Sequence, residues 1–278
     1  MPPPPAASEP TLTSRRNPLV RQLRALHDAA GRRQQGLLLL EGTHLLQEAL
    51  RLTLEPRLVL ATPRWQARHP QLLAALPAAV EVRCASEEVV AAAASTLHPD
   101  GVLLTVAPPA PAAAAAQAGF VLALDRLQDP GNLGTLLRTA LAAGVDQVWL
   151  GEGADPHQPK VLRASAGAAL ALPLLRLTAA GLLERLGRAQ AGGLQLAAAV
   201  ACGGQPYWQL DWQRPTVLLL GNEGAGLAPE LASLAGSAVT IPHAPAVESL
   251  NVAVAAAPLL LERWRQRHGG GAGPGRTG

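Results

Sequence analysis

Three segments of the sequence place glycines and polar side chains directly after apolar runs that predict strands. The first is Asp125–Ala140. Its Pro130 and Gly131 predict a turn, and Asn132 can cap the helix that follows. Arg138 lies further along between leucines and alanines, and a guanidinium in apolar surroundings requires an anionic partner. The segment predicts an anion-binding arginine, whereas Asn132 alone is also typical of an ordinary helix cap.

The second segment, Gly221–Gly226, has the order Gly-x-x-Gly-x-Gly and follows the apolar run 217–220. Three glycines allow the backbone to approach a ligand closely. The order matches neither the phosphate-binding loop, which needs Gly-Lys-Ser/Thr, nor the dinucleotide fingerprint Gly-x-Gly-x-x-Gly. Because Glu223 would also repel a phosphate, the segment predicts a ligand site lined by backbone or, as the alternative, a plain structural turn.

The third segment, Ile241–Ala257, begins with two prolines that keep the chain extended. Ser249 can cap the last helix, which places Asn251 in the first turn of that helix. Small side chains follow and permit close packing against other backbone. A capped core helix explains Ser249 alone, but it does not explain the polar cluster Glu248, Ser249 and Asn251 ahead of an apolar run.

The elements that must position these segments alternate between strand and helix over residues 119–267. Apolar strands separated by helices predict a parallel sheet that is covered on both faces. Ligands of such sheets bind at the carboxyl ends of the strands, and all three segments follow a predicted strand. We therefore expect the three segments to share one pocket.

Residues 14–106 alternate short helices and apolar strands, which predicts a separate small α/β sandwich. The opening of this domain is basic and predicts either a surface that tracks RNA phosphates or a solvated helix face. Its basic cluster consists of Arg15, Arg16, Arg21, Arg24, Arg32 and Arg33. Segments rich in Pro, Ala or Gly predict disordered tails at 1–13 and 268–278 and an interdomain linker at 107–118.

The composition excludes a wholly disordered chain, because hydrophobic residues make up 49% of the 278 residues. The 23 basic residues barely outnumber the 20 acidic ones, and all except Lys160 are arginine, so nucleic acid is permitted but not demanded. Cys84 and Cys202 lack a second Cys or His at ligand spacing, so neither a disulfide framework nor a metal site is predicted. Without a signal segment or a long apolar run, we expect a soluble, cytoplasmic protein.

Taken together, the three segments resemble, in order, the three motifs of the SpoU (TrmH-type) RNA 2′-O-ribose methyltransferases of the SPOUT superfamily. The matching residues are Asn132, Gly134, Arg138 and Ala140; Gly221–Gly224 with Gly226 and Leu227; and Ile241, Pro242 and Glu248–Val252. The stretch Asp155–Ala168 resembles a further segment of rRNA-type members, and Ser14–Leu46 resembles the family's N-terminal substrate-binding domain, which is similar to ribosomal protein L30e.

The resemblance implies an L30e-like α/β sandwich followed by a parallel-sheet domain with a deep trefoil knot, S-adenosylmethionine bound among the three loops, and a homodimer. The implied cofactor-binding residues are Leu220, Gly221, Asn222, Glu223, Gly224, Ile241, Leu250 and Asn251. Arg138 would sit at the ribose 2′-hydroxyl, and the residues fixing it and the nucleotide would be Asn132, Glu223, Ser249 and Asn251. Lys160 and Arg163 would join the basic cluster in binding RNA.

The leading hypothesis is therefore methyl transfer from S-adenosylmethionine to a ribose 2′-hydroxyl of large-subunit rRNA. The N-terminal domain and the Lys160–Ala168 segment favour rRNA, and tRNA is the main alternative substrate. A non-catalytic RNA-binding protein with the same fold is a second alternative. A nucleotide-binding oxidoreductase is disfavoured by the order of the glycines at 221–226.

Overall fold

The computed structural model of the chain describes residues 10–110 and 118–269. These residues form two compact units. The first unit contains residues 10–109 together with 157–170, and the second contains 118–156 and 171–269. Within the described ranges, no helix combines the length and the apolar character that crossing a bilayer requires.

The first unit is a four-stranded sheet with helices, as the alternation of short apolar runs predicts. Its sheet has the order β1-β4-β2-β3, in which β4 is antiparallel to β1 and β2, and β2 is parallel to β3. In chain order the elements are α1 (Pro18–Ala25), α2 (Ala29–Gln35), β1 (Leu38–Glu41), α3 (Thr43–Arg51), β2 (Pro56–Ala61), α4 (Pro63–Arg68), α5 (Pro70–Ala74), β3 (Glu81–Cys84), α6 (Glu87–Ala93) and β4 (Val102–Val106).

Several helices begin at a polar cap that the local sequence supplies. The Asn17 side chain accepts a hydrogen bond from the backbone N–H of Leu19, with Pro18 at the first position of α1. Thr62 and Ser86 cap α4 and α6 in the same way. These caps satisfy N–H groups that have no partner within the helix, and they fix where each helix starts.

The second unit continues the chain with β5 and is built on a seven-stranded sheet. Its elements, together with the two helices of residues 157–170, are β5 (Phe120–Leu124), α7 (Pro130–Ala142), β6 (Gln147–Leu150), α8 (Pro159–Ala164), α9 (Ala168–Ala171), β7 (Leu174–Arg176), α10 (Ala179–Ala191), β8 (Gln195–Ala199), β9 (Gln205–Pro206), β10 (Thr216–Leu220), α11 (Pro229–Leu234), β11 (Ser237–Thr240) and α12 (Val252–His268).

All pairings in this sheet are parallel, and the strand order is β7-β6-β5-β10-β8-β11-β9. The central strands β5 and β10 are buried along their whole length, as expected for a sheet that is covered on both faces. The mixed α/β fold with a parallel sheet is thereby confirmed. The trefoil knot stays a prediction.

Residues 157–170, here called the inserted segment, belong to a different unit from the one that the sequence predicted. The sequence placed them in the methyltransferase domain 119–267, whereas the structure packs them in the first unit, with α8 lying on β1. The reason is a buried ionic contact. The carboxylate of Glu41, at the end of β1, accepts hydrogen bonds from Arg163 Nη1 at 3.1 Å and from the Ser95 N–H at 3.0 Å.

Close packing also holds the inserted segment. Val161 and Leu162 are fully buried. A Cβ on Gly167 would lie 3.0 Å from the Cβ of Glu48, and the φ of +84° at Gly167 favours glycine as well. The segment is therefore a structural part of the first unit.

The predicted tails and linker lie mostly outside the described residues. Leu12, placed in the disordered tail 1–13, is an exception because its N–H donates to the Cys84 carbonyl at 2.9 Å and its carbonyl accepts from Ser86 N–H at 2.9 Å. Its apolar side chain packs against the core of the first unit, which explains why this position is ordered. At the other end, His268 is the last residue of α12 rather than part of a tail.

Candidate active site

A cavity of the second unit lies at the carboxyl ends of three neighbouring strands, β10, β8 and β11. It measures about 320 Å³, at the lower end of the range usual for small-molecule sites. One wall is Gly221–Gly226, here called the glycine loop, and another is formed by Ile241, Ser249 and Leu250 before α12. Two of the three predicted segments therefore line one cavity, and the third is joined to them by hydrogen bonds described below.

The glycine loop closes on itself. The backbone groups of Asn222 and Gly226 exchange two hydrogen bonds, each of 3.0 Å, and the Asn222 side-chain oxygen accepts from the N–H groups of Gly224 and Ala225. A Cβ on Gly221 would lie 2.2 Å from backbone atoms of Gly226 and Leu227, so only glycine fits there. The loop thus offers backbone, rather than long side chains, to the cavity.

Glu223 joins the glycine loop to the first segment. Its carboxylate accepts hydrogen bonds from the backbone N–H of Asp129 at 3.1 Å, from that of Gln128 at 3.3 Å and from Asn132 Nδ2 at 3.2 Å. Partial burial raises the pKa of Glu223, but these bonds and one from its own N–H outweigh it and hold the pKa below the usual range. Glu223 is therefore a charged acceptor at neutral pH.

Asn132 carries the connection on to the third segment. Its Oδ1 accepts a hydrogen bond of 2.9 Å from Asn251 Nδ2, while its Nδ2 donates to Glu223. Asn251 in turn caps α12, accepting from the N–H groups of Ala253 and Val254. A continuous chain of side-chain hydrogen bonds, Glu223–Asn132–Asn251, therefore joins all three predicted segments.

Comparison with known proteins identifies the family. The family model described as the SpoU rRNA Methylase family matches residues 119–261, and the MRM3-like substrate binding domain matches residues 17–104. The chain belongs to the SpoU rRNA methylase family. The resemblance stated from the three motifs is thereby confirmed.

Relatives of the SpoU chain match it over almost its whole length. It is 46% identical to an uncharacterized tRNA/rRNA methyltransferase of Synechocystis sp., over 92% of this chain and 94% of that protein. It is 33% identical to the 23S rRNA (guanosine(2553)-2′-O)-methyltransferase RlmP of Bacillus subtilis, over 90% of this chain and 97% of the relative. The solved structure of an AdoMet-bound rRNA methyltransferase from Sinorhizobium meliloti is 34% identical, with a TM-score of 0.80, covering 92% of this chain and 97% of that chain.

All but one of the predicted cofactor-binding residues line the cavity. Those that line the cavity are Leu220, Gly221, Asn222, Glu223, Gly224, Ile241 and Leu250. Asn251 is instead occupied with capping α12 and bonding Asn132. The sequence predicted Ser249 as the cap of α12, but the cap is Asn251. Ser249 lies before the helix and lines the cavity.

Arg138 is exposed on α7 and is not one of the residues that line the cavity. The sequence predicted apolar surroundings for the guanidinium, and this prediction is wrong. The neighbours Leu136 and Leu137 are buried in the core, whereas Arg138 is exposed. Six residues on a helix separate Arg138 from Asn132 by about 9 Å along the axis and about 120° around it. Within residues 10–110 and 118–269, Arg138 makes no hydrogen bond or ion pair, and it is available to an external anion.

The predicted RNA-binding arginines separate into exposed and structural groups. Arg32 is only 7% exposed, and its Nη1 donates to the carbonyls of Leu26 and His27 at 2.9 and 2.7 Å, so its assignment to an RNA-facing surface is corrected. Arg163 bonds Glu41 as described above and also Ser95. Lys160 is exposed, as are the rest of the basic cluster, Arg15, Arg16, Arg21, Arg24 and Arg33.

Two contributors to the site were not predicted from the sequence. Ala199, Val200 and Ala201, at the end of β8, line the cavity because β8 lies between β10 and β11. Strand order is not readable from small apolar residues, so only the sheet topology reveals them. The second contributor is the adjacent pair Asp125 and Arg126, which do not line the cavity but accept hydrogen bonds from the Ala228 N–H and from Asn222 Nδ2. Their signal in the sequence was an acid and a base directly after a predicted strand.

Proposed function

We propose that this SpoU family member transfers a methyl group from S-adenosylmethionine to a ribose 2′-hydroxyl of large-subunit rRNA. The observation that carries the proposal is the hydrogen-bonded chain Glu223–Asn132–Asn251, which gathers the three family motifs at one cavity. The name of the Bacillus subtilis relative, a 23S rRNA 2′-O-methyltransferase, supports both the RNA and the reacting atom. Work on ribosomal RNA also favours the cytoplasm as the site of action.

The cavity fits S-adenosylmethionine by the chemistry of its walls. The glycine loop supplies backbone N–H and C=O groups, and Leu220, Ile241 and Leu250 supply apolar contact for a flat base. The carboxylate of Glu223 is already engaged by three donors from the first segment. When bound, the cofactor supplies an electrophilic methyl group. The Sinorhizobium meliloti structure, described as AdoMet-bound, supports the same ligand here.

The residues of the chain then divide the remaining work. The Glu223–Asn132–Asn251 chain holds the walls of the cavity in register, and Ser249 offers a hydroxyl at its edge. Arg138 is free to bind the phosphate and 2′-hydroxyl of the target nucleotide with its planar guanidinium. Because a guanidinium carries hydrogen-bond donors and no acceptor, we assign Arg138 to positioning and charge stabilisation of the reacting oxygen in preference to proton removal.

The proposal includes a homodimer. Apolar side chains on α7 and α12 remain exposed in the single chain: Leu141 at 39%, Val254 at 61%, Leu261 at 46% and Trp264 at 41%. Such side chains along two packed helices are typical of an interface with a second copy. Arg138 lies on α7 outside its own cavity, so it would serve a pocket that a second copy completes.

The domain assignment is part of the same proposal. Residues 14–106 bind the RNA substrate, and residues 119–267, apart from the inserted segment that packs in the first unit, carry out methyl transfer, with the linker 107–118 between them. The match of residues 17–104 to a substrate-binding domain supports the first assignment. Five arginines of the basic cluster remain exposed there and can contact RNA phosphates; they are Arg15, Arg16, Arg21, Arg24 and Arg33.

The test is methyl transfer in vitro with total RNA from cells that lack this gene. A 2′-O-methyl group blocks attack of that oxygen on the neighbouring phosphate, so we expect one gap in an alkaline cleavage ladder of large-subunit rRNA. A gap in tRNA instead would show that the substrate is tRNA, while the proposed 2′-O-methyl transfer would still hold. Methyl found on a base by mass spectrometry, or no transfer with cofactor bound, would contradict the proposal.

A further inference from the structure

Arg126 has an unusual backbone conformation at the edge of the candidate site. Its φ is +52°, in the left-handed region that residues other than glycine rarely adopt. The carbonyl of Arg126 accepts a hydrogen bond of 2.8 Å from Asn222 Nδ2, at the start of the glycine loop. A strained residue persists only where its surroundings hold it in place, and here it directs a carbonyl at the loop.

The side chain of Arg126 is paired with its neighbour. Its Nε and Nη2 donate to the Asp125 carboxylate at 3.1 and 3.0 Å, in the two-pronged geometry that arginine favours. The Asp125 side chain is only 6% exposed, so this cation offsets a charge that is largely removed from water. The pair is therefore a fixed unit directly after β5.

The same pair reaches the far end of the glycine loop. Asp125 Oδ2 accepts a hydrogen bond of 2.9 Å from the N–H of Ala228, and Arg126 Nη2 approaches the Gly226 carbonyl at 3.5 Å. With the bond from Asn222, the loop is held at its first and last turns by two consecutive residues. None of these contacts involves Glu223.

We propose that Asp125 and Arg126 are positioning residues that set the shape of the glycine loop and so determine the affinity for S-adenosylmethionine. The inference rests on the proposed function of the cavity and adds to it two residues that touch the loop from outside. Holding a loop in its bound shape before the ligand arrives strengthens binding by reducing the ordering that binding requires. The pair therefore acts on cofactor affinity, and the rate of transfer at saturating cofactor does not depend on it.

The experiment uses the full-length protein and separates the backbone from the guanidinium. R126A removes the guanidinium and keeps a residue that resists positive φ, whereas R126G removes the guanidinium but accepts that φ. We expect R126A to raise the Kd for S-adenosylmethionine about tenfold and R126G to raise it less, about threefold. We expect kcat at saturating cofactor and RNA to change by less than about twofold in both.

The matched control is R188A, which removes a different paired arginine of the second unit. Arg188 bonds Glu184 on the exposed face of α10 and does not line the cavity. Its Kd for S-adenosylmethionine should equal that of the wild type. Unchanged cofactor affinity in folded R126A and R126G, or a change confined to the KM for RNA, would overturn the proposal.

Hydrogen exchange gives a readout that does not depend on the cofactor. The amides of Asn222, Gly226 and Ala228 should exchange several-fold faster in R126A than in wild type or R188A. If the wild type fails to bind S-adenosylmethionine, the proposed function is wrong, and the exchange rates still decide the positioning role. Equal exchange at these three amides in a folded variant contradicts that role. If R126A does not fold, R126G provides the same measurements.

Discussion

The two units differ in whether the polar residues of a sequence pattern contact one another in the structure. In the second unit, Glu223, Asn132 and Asn251 bond to one another, so their spacing in the sequence is imposed by contacts they make together. In the first unit, Arg32 and Arg33 are adjacent in sequence, yet one is buried against carbonyls and the other is exposed. A motif whose members hold each other can be recognised from sequence, whereas a run of like charges does not show which members face solvent.

The largest effect on activity is expected at Arg138. This residue belongs to the motifs but, unlike Glu223, Asn132 and Asn251, it has no partner among the described residues. Arg138→Ala should lower kcat about 10²–10³-fold, because a guanidinium aimed at developing charge is lost. The Kd for S-adenosylmethionine should stay within a few-fold, since Arg138 does not line the cavity. Single-turnover kinetics and calorimetry measure the two quantities. Equal turnover in the variant would remove Arg138 from the reaction.

A smaller but clear effect is expected on stability at Arg163. Arg163→Ala should lower the free energy of unfolding by about 2–3 kcal/mol, because it leaves the buried carboxylate of Glu41 without its cation. Arg51→Ala is the matched control in the same unit, since its pair with Glu48 lies at the surface and should be worth little. Urea unfolding of both variants gives the comparison. Equal stability of the two would show that the inserted segment is not held by this pair.

Arg32 and Arg33 should differ in their effects on stability and on RNA binding, because Arg32 is buried and Arg33 is exposed. Arg32→Ala should lower the free energy of unfolding by about 1–2 kcal/mol, because the Leu26 and His27 carbonyls lose a charged donor. Arg33→Ala should leave stability unchanged and weaken RNA binding at low salt, with a shallower salt dependence. Thermal melting and filter binding across a salt series measure these effects. If the two variants exchange their phenotypes, the division into structural and exposed arginines is wrong.

The smallest effect expected is a pH dependence from Glu223. Because its pKa is lowered in the folded protein, its charge adds stability at pH values above the ordinary pKa near 4.5, and that contribution is lost as the pH falls through the folded value. Glu223→Gln should therefore melt at a lower temperature than wild type at pH 7, and the difference should shrink below pH 4. Melting curves from pH 3 to 7 test this. A constant difference across that range would contradict a role for the charge.

Much of the architecture was predictable because burial leaves a direct pattern in the sequence. Buried strands such as β5 and β10 read as unbroken apolar runs, and helices between them predicted a parallel sheet. The membership of the inserted segment was not predictable. Its packing in the first unit depends on a contact between Glu41 and Arg163, which are far apart in sequence.

The site was predictable in its members but less so in their positions. The glycine loop was expected to line a pocket by close backbone approach, and it does line the cavity. The surroundings of Arg138 were misjudged because neighbours in sequence lie on different sides of a helix, so Leu136 and Leu137 face the core while the guanidinium faces outward. The acid–base pair Asp125–Arg126 was visible in the sequence, but the positive φ of Arg126 was not, since it is a property of the backbone.

The inserted segment also sets the order in which the protein can be completed during synthesis. The last strand of the first sheet, β4, ends at Val106, but the core of that unit also contains Val161, Leu162 and Leu170. A ribosome adding about 5–20 residues per second needs several further seconds to make them. Until then, the surface of β1 that α8 covers stays open. The first unit is therefore finished only after β5 and β6, the first two strands of the second unit, have been made.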